Sequence, residues 1–557
     1  MDPNPHNSRI IPIIIALIGG LLFIPFLGGV HLFDWDEINF AESAREMIRS
    51  GDYLTVQINY YPFWEKPPLF IWMQVASMKV FGINEFAARF PNAVAGIITL
   101  IILYRIGRKL HDREFGWIWA LVFAGSLLPH LYFKSGIIDP WFNLFIFLGI
   151  IFLIQYADPD QKKPSLRDAM LSAMFIGLAI LTKGPVALVI FGLVALIWMI
   201  VSRQWNVLLN LKFLGIYIAI LTLVGGFWFI LQIISGNAHV IADFLRYQVR
   251  LFTQEDAGHG GFLLYHFVVL LVGVFPASIF MLPEFWRSGD TQPRFRRFKT
   301  WMMITFWVVL ILFTIVNTKI VHYSSMCYFP MTFLAAAFIY KVKNQGLLLR
   351  RWLYITIVIM AVLIGSLPIA VQLFIKFKEQ IIESGRIHDA FAIGNLQAEV
   401  PWSGLEFLVG MILLAGVPLS LWWFRNHPFR QIIGIFVSTL LFVNLTILVI
   451  VPKVEGYSQR AAIEFFQSKQ GEDCHVMTWG YKSYAHLFYF RKPPPGPERN
   501  DQKEFLLSGP VNRKVYVSVK NFRAEDFLEQ HPNFTRLYEQ NGFVFFQREP
   551  EKDNLNK

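Results

Sequence analysis

FDWDEINFAESAREMIRSGDY (residues 33–53) and NYYPFWEKPPLFIWMQVASMKVF (59–81) lie between two apolar runs, 10–30 and 90–109, and their reading sets the architecture. Each flanking run has the roughly 20 residues needed to cross a bilayer core. The segment between them, 31–89, is too long for a turn. Over 37–50, Ile38, Ala41, Ala44 and Ile48 share one helical stripe, with Glu42, Arg45, Glu46 and Arg49 mostly off it. Residues 69–81 are strongly apolar but too short to span, and they follow the helix-starting Pro67-Pro68. Both patterns predict interfacial helices lying in the plane of the membrane, with an ordinary ectodomain loop as the alternative. A site served by such helices suits a substrate with a lipid tail.

Runs of the same length recur along the chain. Of its 557 residues, 55% are hydrophobic and 16% charged, with mean hydropathy +0.46. A soluble domain is nearer a quarter charged. Hydropathy predicts about thirteen spans, at 10–30, 90–109, 115–133, 137–157, 168–183, 185–202, 213–234, 263–282, 301–317, 325–341, 352–374, 404–424 and 431–451. Alternate loops are basic: Arg105 to Arg113, Lys162 to Arg167, Arg203 to Lys212, Arg287 to Lys299, Lys341 to Arg351, and Arg425 with Arg430. That phase predicts a cytoplasmic N-terminus and, after an odd number of spans, an outer C-terminal tail. The net charge of +11 therefore reflects topology rather than nucleic-acid binding. Two cysteines, Cys327 and Cys474, imply no disulfide framework. The first apolar run has no small-residue cleavage site and reads as a retained span.

The chain thus divides into a transmembrane unit, 1–451, and a small extracytoplasmic α/β domain, 452–557. In the latter HVMTWGY, KVYVSVK and GFVFFQR read as strands, while QRAAIEFFQSK and RAEDFLEQH read as helices. The tail holds no nucleophile motif, phosphate-binding glycine loop or metal-ligand spacing.

Ionisable residues at the outer edge of a membrane domain are functional candidates, because desolvating them is costly. On this topology they are Asp34, Asp36, Glu37, Glu65, Lys66, Asp139, Lys183, Arg246, Arg250, Asp256, His259, Lys319, His322 and, beside them, Tyr323. Lys66, Lys183, Arg250 and Lys319 are basic on the face that the positive-inside rule depletes. Converging, they would form a pocket for a lipid pyrophosphate or phosphodiester. The plainer alternatives are snorkelling or salt-bridged span ends for the bases, helix caps for Asp34 and Asp36, and a simple partner for Lys66 in Glu65.

The quoted stretches, continued as GINEFAARFPNAVAG to residue 96, closely resemble the first outer loop of bacterial lipid-carrier-dependent glycosyltransferases of the GT-C class. That class includes the 4-amino-4-deoxy-L-arabinose lipid A transferases and is related to protein O-mannosyltransferases. LTKGPVAL (181–188) and TKIVHYSSMCYFP (318–330) are similar to two further segments of the family, and the resemblance runs from residue 10 to about 340. It implies a GT-C fold of about thirteen transmembrane helices in a bacterial inner membrane. It also implies catalytic roles for Asp36 and Asp139, with Glu37 beside them. Carrier-phosphate binding is implied for Lys66, supported by Lys183, Arg250, Lys319 and Tyr323. Glu65 and His259 are implied as ligands of a divalent metal, with zinc suspected; two ligands leave such a site open to water or substrate. Two departures bear on sugar and acceptor: Asn39 stands where the aminoarabinose branch has Arg, and Phe63 where it tends to Tyr.

The expected activity is inverting transfer of a sugar from a polyprenyl phosphate to a glycolipid, protein or glycan acceptor at the outer face, among membrane lipids. A flippase or transporter of a lipid-linked sugar is the rival reading, which calls for discontinuous helices and midplane charges. A membrane scaffold is a third.

Overall fold

The computed structural model describes residues 5–34, 36–161, 164–253, 260–286, 292–496 and 502–550. All thirteen apolar stretches are helical over most of their length. Six helices among the described residues are long and apolar enough to cross a membrane, and eight if each of two bent pairs counts as one span. The bent pairs are Leu211–Gly225 with Phe227–Ile234, at 58°, and Tyr265–Gly273 with Ala277–Phe285, at 106°. The helical, GT-C-like plan is as expected.

Local chemistry fixes the ends of the helices that carry the site. Helix α1 (Pro5–Phe23) leads into the first loop, which contains α2 (Asp36–Ser50) and α3 (Leu69–Phe81). Helix α4 (Glu85–Leu110) starts where the Asn84 side chain accepts from the Ala87 N–H, satisfying one of the orphan donors of a helix start. Asp112 does the same for α5 (Arg113–Ala124) through Phe115. The span expected at 115–133 breaks after α5, and a short α6 (Leu127–Tyr132) follows. Helix α7 (Asp139–Tyr156) opens with Asp139-Pro140, and α8 (Leu166–Lys183) ends at Gly184. Gly184 has φ +97°, and a Cβ there would sit 2.6 Å from Phe244, so only glycine lets the chain turn into α9 (Val186–Ser202). This sharp stop sets Lys183 at the rim.

The loop helices sit where the sequence places them, but α2 corrects the interfacial reading. It is buried from Glu37 to Met47 on all sides, with Glu42, Arg45 and Glu46 fully enclosed. Its charged side tolerates this because Arg45 donates to both Glu42 oxygens, at 2.6 Å each. Glu46 accepts from the N–H groups of Asn59 (2.7 Å) and Tyr60 (2.8 Å). Those two residues, at φ +57° and +58°, form the tight turn between β1 (Gln57–Ile58) and β2 (Tyr61–Pro62). Two consecutive left-handed residues match the twist of a two-residue hairpin. Helix Phe227–Ile234 holds the loop from the other side, since Trp228 Nε1 and Gln232 Nε2 both donate to the Leu54 carbonyl.

The tail is a four-stranded mixed sheet in the order β3-β4-β6-β5. Its strands are β3 (Cys474–Trp479), β4 (Lys514–Lys520), β5 (Thr535–Gln540) and β6 (Phe543–Arg548); β3 and β4 run parallel and the other pairs antiparallel. Helix Arg460–Ser468 covers one face through Phe465, stacked 4.1 Å from Phe545. The last membrane helix runs on continuously to Gly456, so the expected boundary at 451/452 falls within it.

The tail lies at the same end of the bundle as the first loop and is bonded to it. Leu32 N–H donates to the Tyr489 hydroxyl at 2.7 Å, Gln459 donates to the Leu32 carbonyl, and His31 meets Glu455 at 3.1 Å. Lys492 reaches the hairpin turn, its ammonium 2.5 Å from Asn59 Oδ1 and its carbonyl accepting from the Tyr60 hydroxyl. One apolar core runs through α2, α3 and the tail.

Candidate active site

Five separate elements bring charged side chains to one place at this end of the bundle. Asp36 comes from the start of α2, Lys66 from the loop before α3, and Asp139 and Lys183 from the facing ends of α7 and α8. His322 comes from the 3-10 turn Val321–Cys327. Lys183 Nζ lies 2.6 Å from Asp139 Oδ1. His322 stands between the carboxylates, Nδ1 3.9 Å from Asp36 and Nε2 3.8 Å from Asp139. Asp139 is nearly closed off, whereas the Asp36 side chain is 49% exposed.

Lys66 is half-buried and makes no hydrogen bond to any described residue. Burial pushes its ammonium below the usual lysine range, as does the charge of Lys183, against the pull of Glu65, Asp36 and Asp139. Its nearest aromatic is Tyr247, 5.2 Å from the ring centre. The Arg250 guanidinium lies the same distance from that ring, and Trp64 packs edge-on against it at 5.5 Å. Two cations thus lie against one aromatic ring. The Tyr323 ring lies 5.0 Å from Lys183 Nζ. Glu65 is half-buried beside Lys66 and near Tyr484 of the tail.

Asp36, Asp139, Lys66, Lys183, Arg250, Tyr323 and Glu65 are therefore neighbours at this end of the bundle. Two expectations are corrected. Glu37 points away from the pocket into a buried bridge with Arg89 (2.6 Å), and it also accepts from Phe33 N and Gly136 N. Burial would raise its carboxyl, but Arg89 and these bonds hold it below the ordinary glutamate range. Arg89 also donates to the Leu27, Val30 and His31 carbonyls, so the pair clamps the start of the first loop. Lys319 turns inward, its ammonium on the carbonyls of Phe313, Thr314 and Val316. All three protons are used in closing the helix Pro293–Ile315, which leaves none for a phosphate.

Asp34 accepts from the Tyr484 N–H at 3.1 Å, a tie to the tail. Arg246 pairs with Asp243 at the surface. Asp256 and His259 lie outside the described residues. Among the described residues no group of three His, Cys, Asp or Glu side chains could hold a metal ion.

The sequence reading gave no role to His322 or Tyr247. His322 became informative only once two carboxylates proved to flank it; Tyr247 lies within an amphipathic helix, Ala238–Thr253, and carries no motif.

Residues 65–228 match a family model described as dolichyl-phosphate-mannose-protein mannosyltransferase. Several relatives carry the name undecaprenyl phosphate-alpha-4-amino-4-deoxy-L-arabinose arabinosyl transferase. That of Shewanella sediminis is 26% identical over 347 residues, covering 60% of each chain. That of Pectobacterium atrosepticum is 25% identical over 426 residues, covering 73% of this chain and 74% of the relative. The chain spans about 60% of the length of the first relatives it matches. In fold it is similar to the crystal structure of ArnT from Cupriavidus metallidurans bound to undecaprenyl phosphate. The TM-score is 0.76 at 18% identity, over 98% of this chain and 100% of the other.

Proposed function

We propose, from that likeness and the pocket, that this chain is an inverting glycosyltransferase. It would take a sugar from a polyprenyl phosphate and pass it to an acceptor at the outer face of a bacterial inner membrane. In this reading the chain has thirteen spans, a cytoplasmic N-terminus and an outer tail. The relatives make an aminopentose on undecaprenyl phosphate the first donor to try. The convergence of Asp36 and Lys66 on one pocket carries the proposal, because the reaction needs an open carboxylate and an anion site on opposite sides of one sugar.

The donor phosphate would sit between Lys66 and Arg250, with Lys183 held at its edge by Asp139 and Tyr323. As the bond from the anomeric carbon to the phosphate oxygen breaks, charge grows on that oxygen. Lys66 already stands there without a hydrogen-bond partner, so it need not be freed first. A preorganised donor of this kind is typically worth ~3 kcal/mol. Asp36 would take the proton of an acceptor hydroxyl as the new carbon–oxygen bond forms, for about 10²–10⁴-fold. His322, between the two carboxylates, orients Asp36. With an already ionised phosphate as acceptor, Asp36 has no proton to remove and steadies the ring charge instead. A single displacement inverts the anomeric centre and needs no enzyme nucleophile.

The two bent helix pairs fit the rival reading, a transporter of the same lipid. The pocket's charges, however, gather at helix ends: Asp139 opens α7 and Lys183 closes α8. The test is purified protein with a synthetic lipid-phosphate sugar and no gradient. Sugar transfer that falls at least a hundredfold in Asp36→Asn supports the reading. Wild-type-like turnover in Asp36→Asn removes the role of that residue, and carrier that is bound but never consumed favours transport.

A further inference from the structure

At the end of the bundle remote from the catalytic pocket, four helices enclose a cavity of about 290 Å³. Its walls are the last turns of α4, α7 and α9 and the first turns of helix Pro293–Ile315. Helix α7 has 18 residues, which sets the cavity about 27 Å from Asp139 at its other end. The lining includes a stacked pair of buried indoles, Trp198 and Trp301, with ring centres 4.7 Å apart and planes at 18°. Ile106, Ile154 and Val201 make one side apolar, and Val201 is 59% exposed.

The charges around this cavity run against the usual pattern of a helix start. Helix Pro293–Ile315 has no acidic residue in its first turn and no side-chain cap, and it carries Arg294 and Arg296 there with Arg297 next. Positive side chains oppose the helix dipole at that end, where free N–H groups suit an anion. Arg297 is answered by Asp158, at 3.0 Å, and by Asp160. Arg294 is exposed and donates to the Lys109 carbonyl at 3.5 Å, and the Lys109 side chain is exposed beside it. Both line the cavity, and neither meets a carboxylate among the described residues. Lys109 also suits the carboxyl end of α4, so the excess positive charge is chiefly that of Arg294 and the helix start.

We infer that this cavity binds one anionic phospholipid from the leaflet on its own side. The phosphodiester lies against Arg294, Lys109 and the N–H groups of the helix start; the glycerol and first acyl carbons lie along the indoles and the apolar side. Basic pockets between membrane helices take anionic headgroups in this way. The volume is at the small end for a ligand site, which suits a headgroup whose chains stay in the bilayer. The indoles and the exposed Val201 favour a lipid over a soluble phosphate. A lipid held here braces α7, which carries Asp139, against the helix that leads at its far end to the His322 turn. In the topology proposed above the leaflet is the cytoplasmic one, and the site does not depend on the transferase reading.

In the experiment the full chain in neutral detergent is titrated with dioctanoyl phosphatidylglycerol, and bound lipid is counted by native mass spectrometry. One molecule should bind at least about tenfold more tightly than dioctanoyl phosphatidylcholine, a difference of about 1.4 kcal/mol. Lys109→Glu with Arg294→Glu should weaken it by at least about tenfold, whereas Lys109→Arg with Arg294→Lys should keep it. Arg425 and Arg430 are exposed at the same end, since the helix that follows them finishes beside the first loop. Reversing those two should cost less than about twofold. Ser202→Trp fills the cavity without changing charge and should also abolish binding, which keeps the test decisive if the charge-reversed protein fails to fold. An equal loss on reversing Arg425 and Arg430 would show diffuse surface charge only and overturn the proposal. Equal affinity for phosphatidylcholine, full binding in Ser202→Trp, or competition by glycerol phosphate at equal concentration would overturn it as well.

Discussion

The ion pair between Lys183 and Asp139 allows stability and catalysis to be separated at one point. Its atoms are 2.6 Å apart, with side chains 13% and 3% exposed. Removing one member of so enclosed a pair leaves a buried charge and typically costs roughly 3–5 kcal/mol. In Lys183→Gln the remaining Asp139 still faces His322 at 3.8 Å and feels Lys66. In Asp139→Asn the ammonium keeps the Phe142 and Tyr323 rings. Each single change should therefore fall near the low end, about 3 kcal/mol. The double change leaves two neutral amides at hydrogen-bond distance, and should be no worse than either single, a coupling of ~3 kcal/mol. Unfolding in mixed micelles, followed by tryptophan fluorescence, measures this. Turnover should not recover, because the double variant has lost the cation at the phosphate edge; a loss of about 10²-fold is expected. Additive destabilisation would refute the pairing argument, and full turnover in the stable double variant would reduce the pair to scaffold.

Lys66→Gln should cut turnover by about 10²–10³-fold while leaving stability unchanged or higher, since a half-buried ammonium without a hydrogen bond is removed; steady-state rates and melting temperature read both. Glu46, pushed up to about 9 by burial and by Glu42, keeps a proton that the unfolded chain has released. Folding stability should therefore fall as pH rises from about 4.5 toward 9, at up to ~1.4 kcal/mol per unit, and Glu46→Gln should flatten that slope in melting curves across pH. Glu37 is shifted the other way: its bridge to Arg89 contributes above the unfolded glutamate value of about 4.3 and is lost as pH falls through its lower folded value. Glu37→Gln should cost roughly 3 kcal/mol at pH 7 and blunt the acid sensitivity of the wild type; an unchanged acid melting profile would contradict this.

The membrane helices were legible because apolar run length is a local property: every stretch named from hydropathy is helical. Three of the four tail strands were legible for the same reason, being apolar and β-branched. The fourth, β5, is exposed at every position, so only its pairing with β6 makes it a strand. Within the site, Asp36, Lys66, Asp139, Lys183 and Arg250 could be named because each is charged next to an apolar run. Glu37 looked equivalent to Asp36, but one residue along a helix is a turn of about 100°, enough to move it from the pocket to Arg89, which lies 52 positions away in sequence. The inward turn of Lys319 and the full burial of α2 depend on partners that no local pattern names. For α2 those partners are α3, the hairpin of the same loop and helix Ala485–Phe488 of the tail.

The bonds between the first loop and the tail join residues 424, 433 and 450 positions apart. On a ribosome the loop bearing Asp36 and Lys66 is made early, and Glu455, Tyr484 and Lys492 come near the end. At 5–20 residues per second the loop waits roughly 20–90 s for them. Until then the hairpin turn beside α2 lacks Lys492. A chain halted before the tail would carry every charged residue of the pocket but lack the bonds that fasten the first loop, so translation itself delays the locking of the site until those residues arrive.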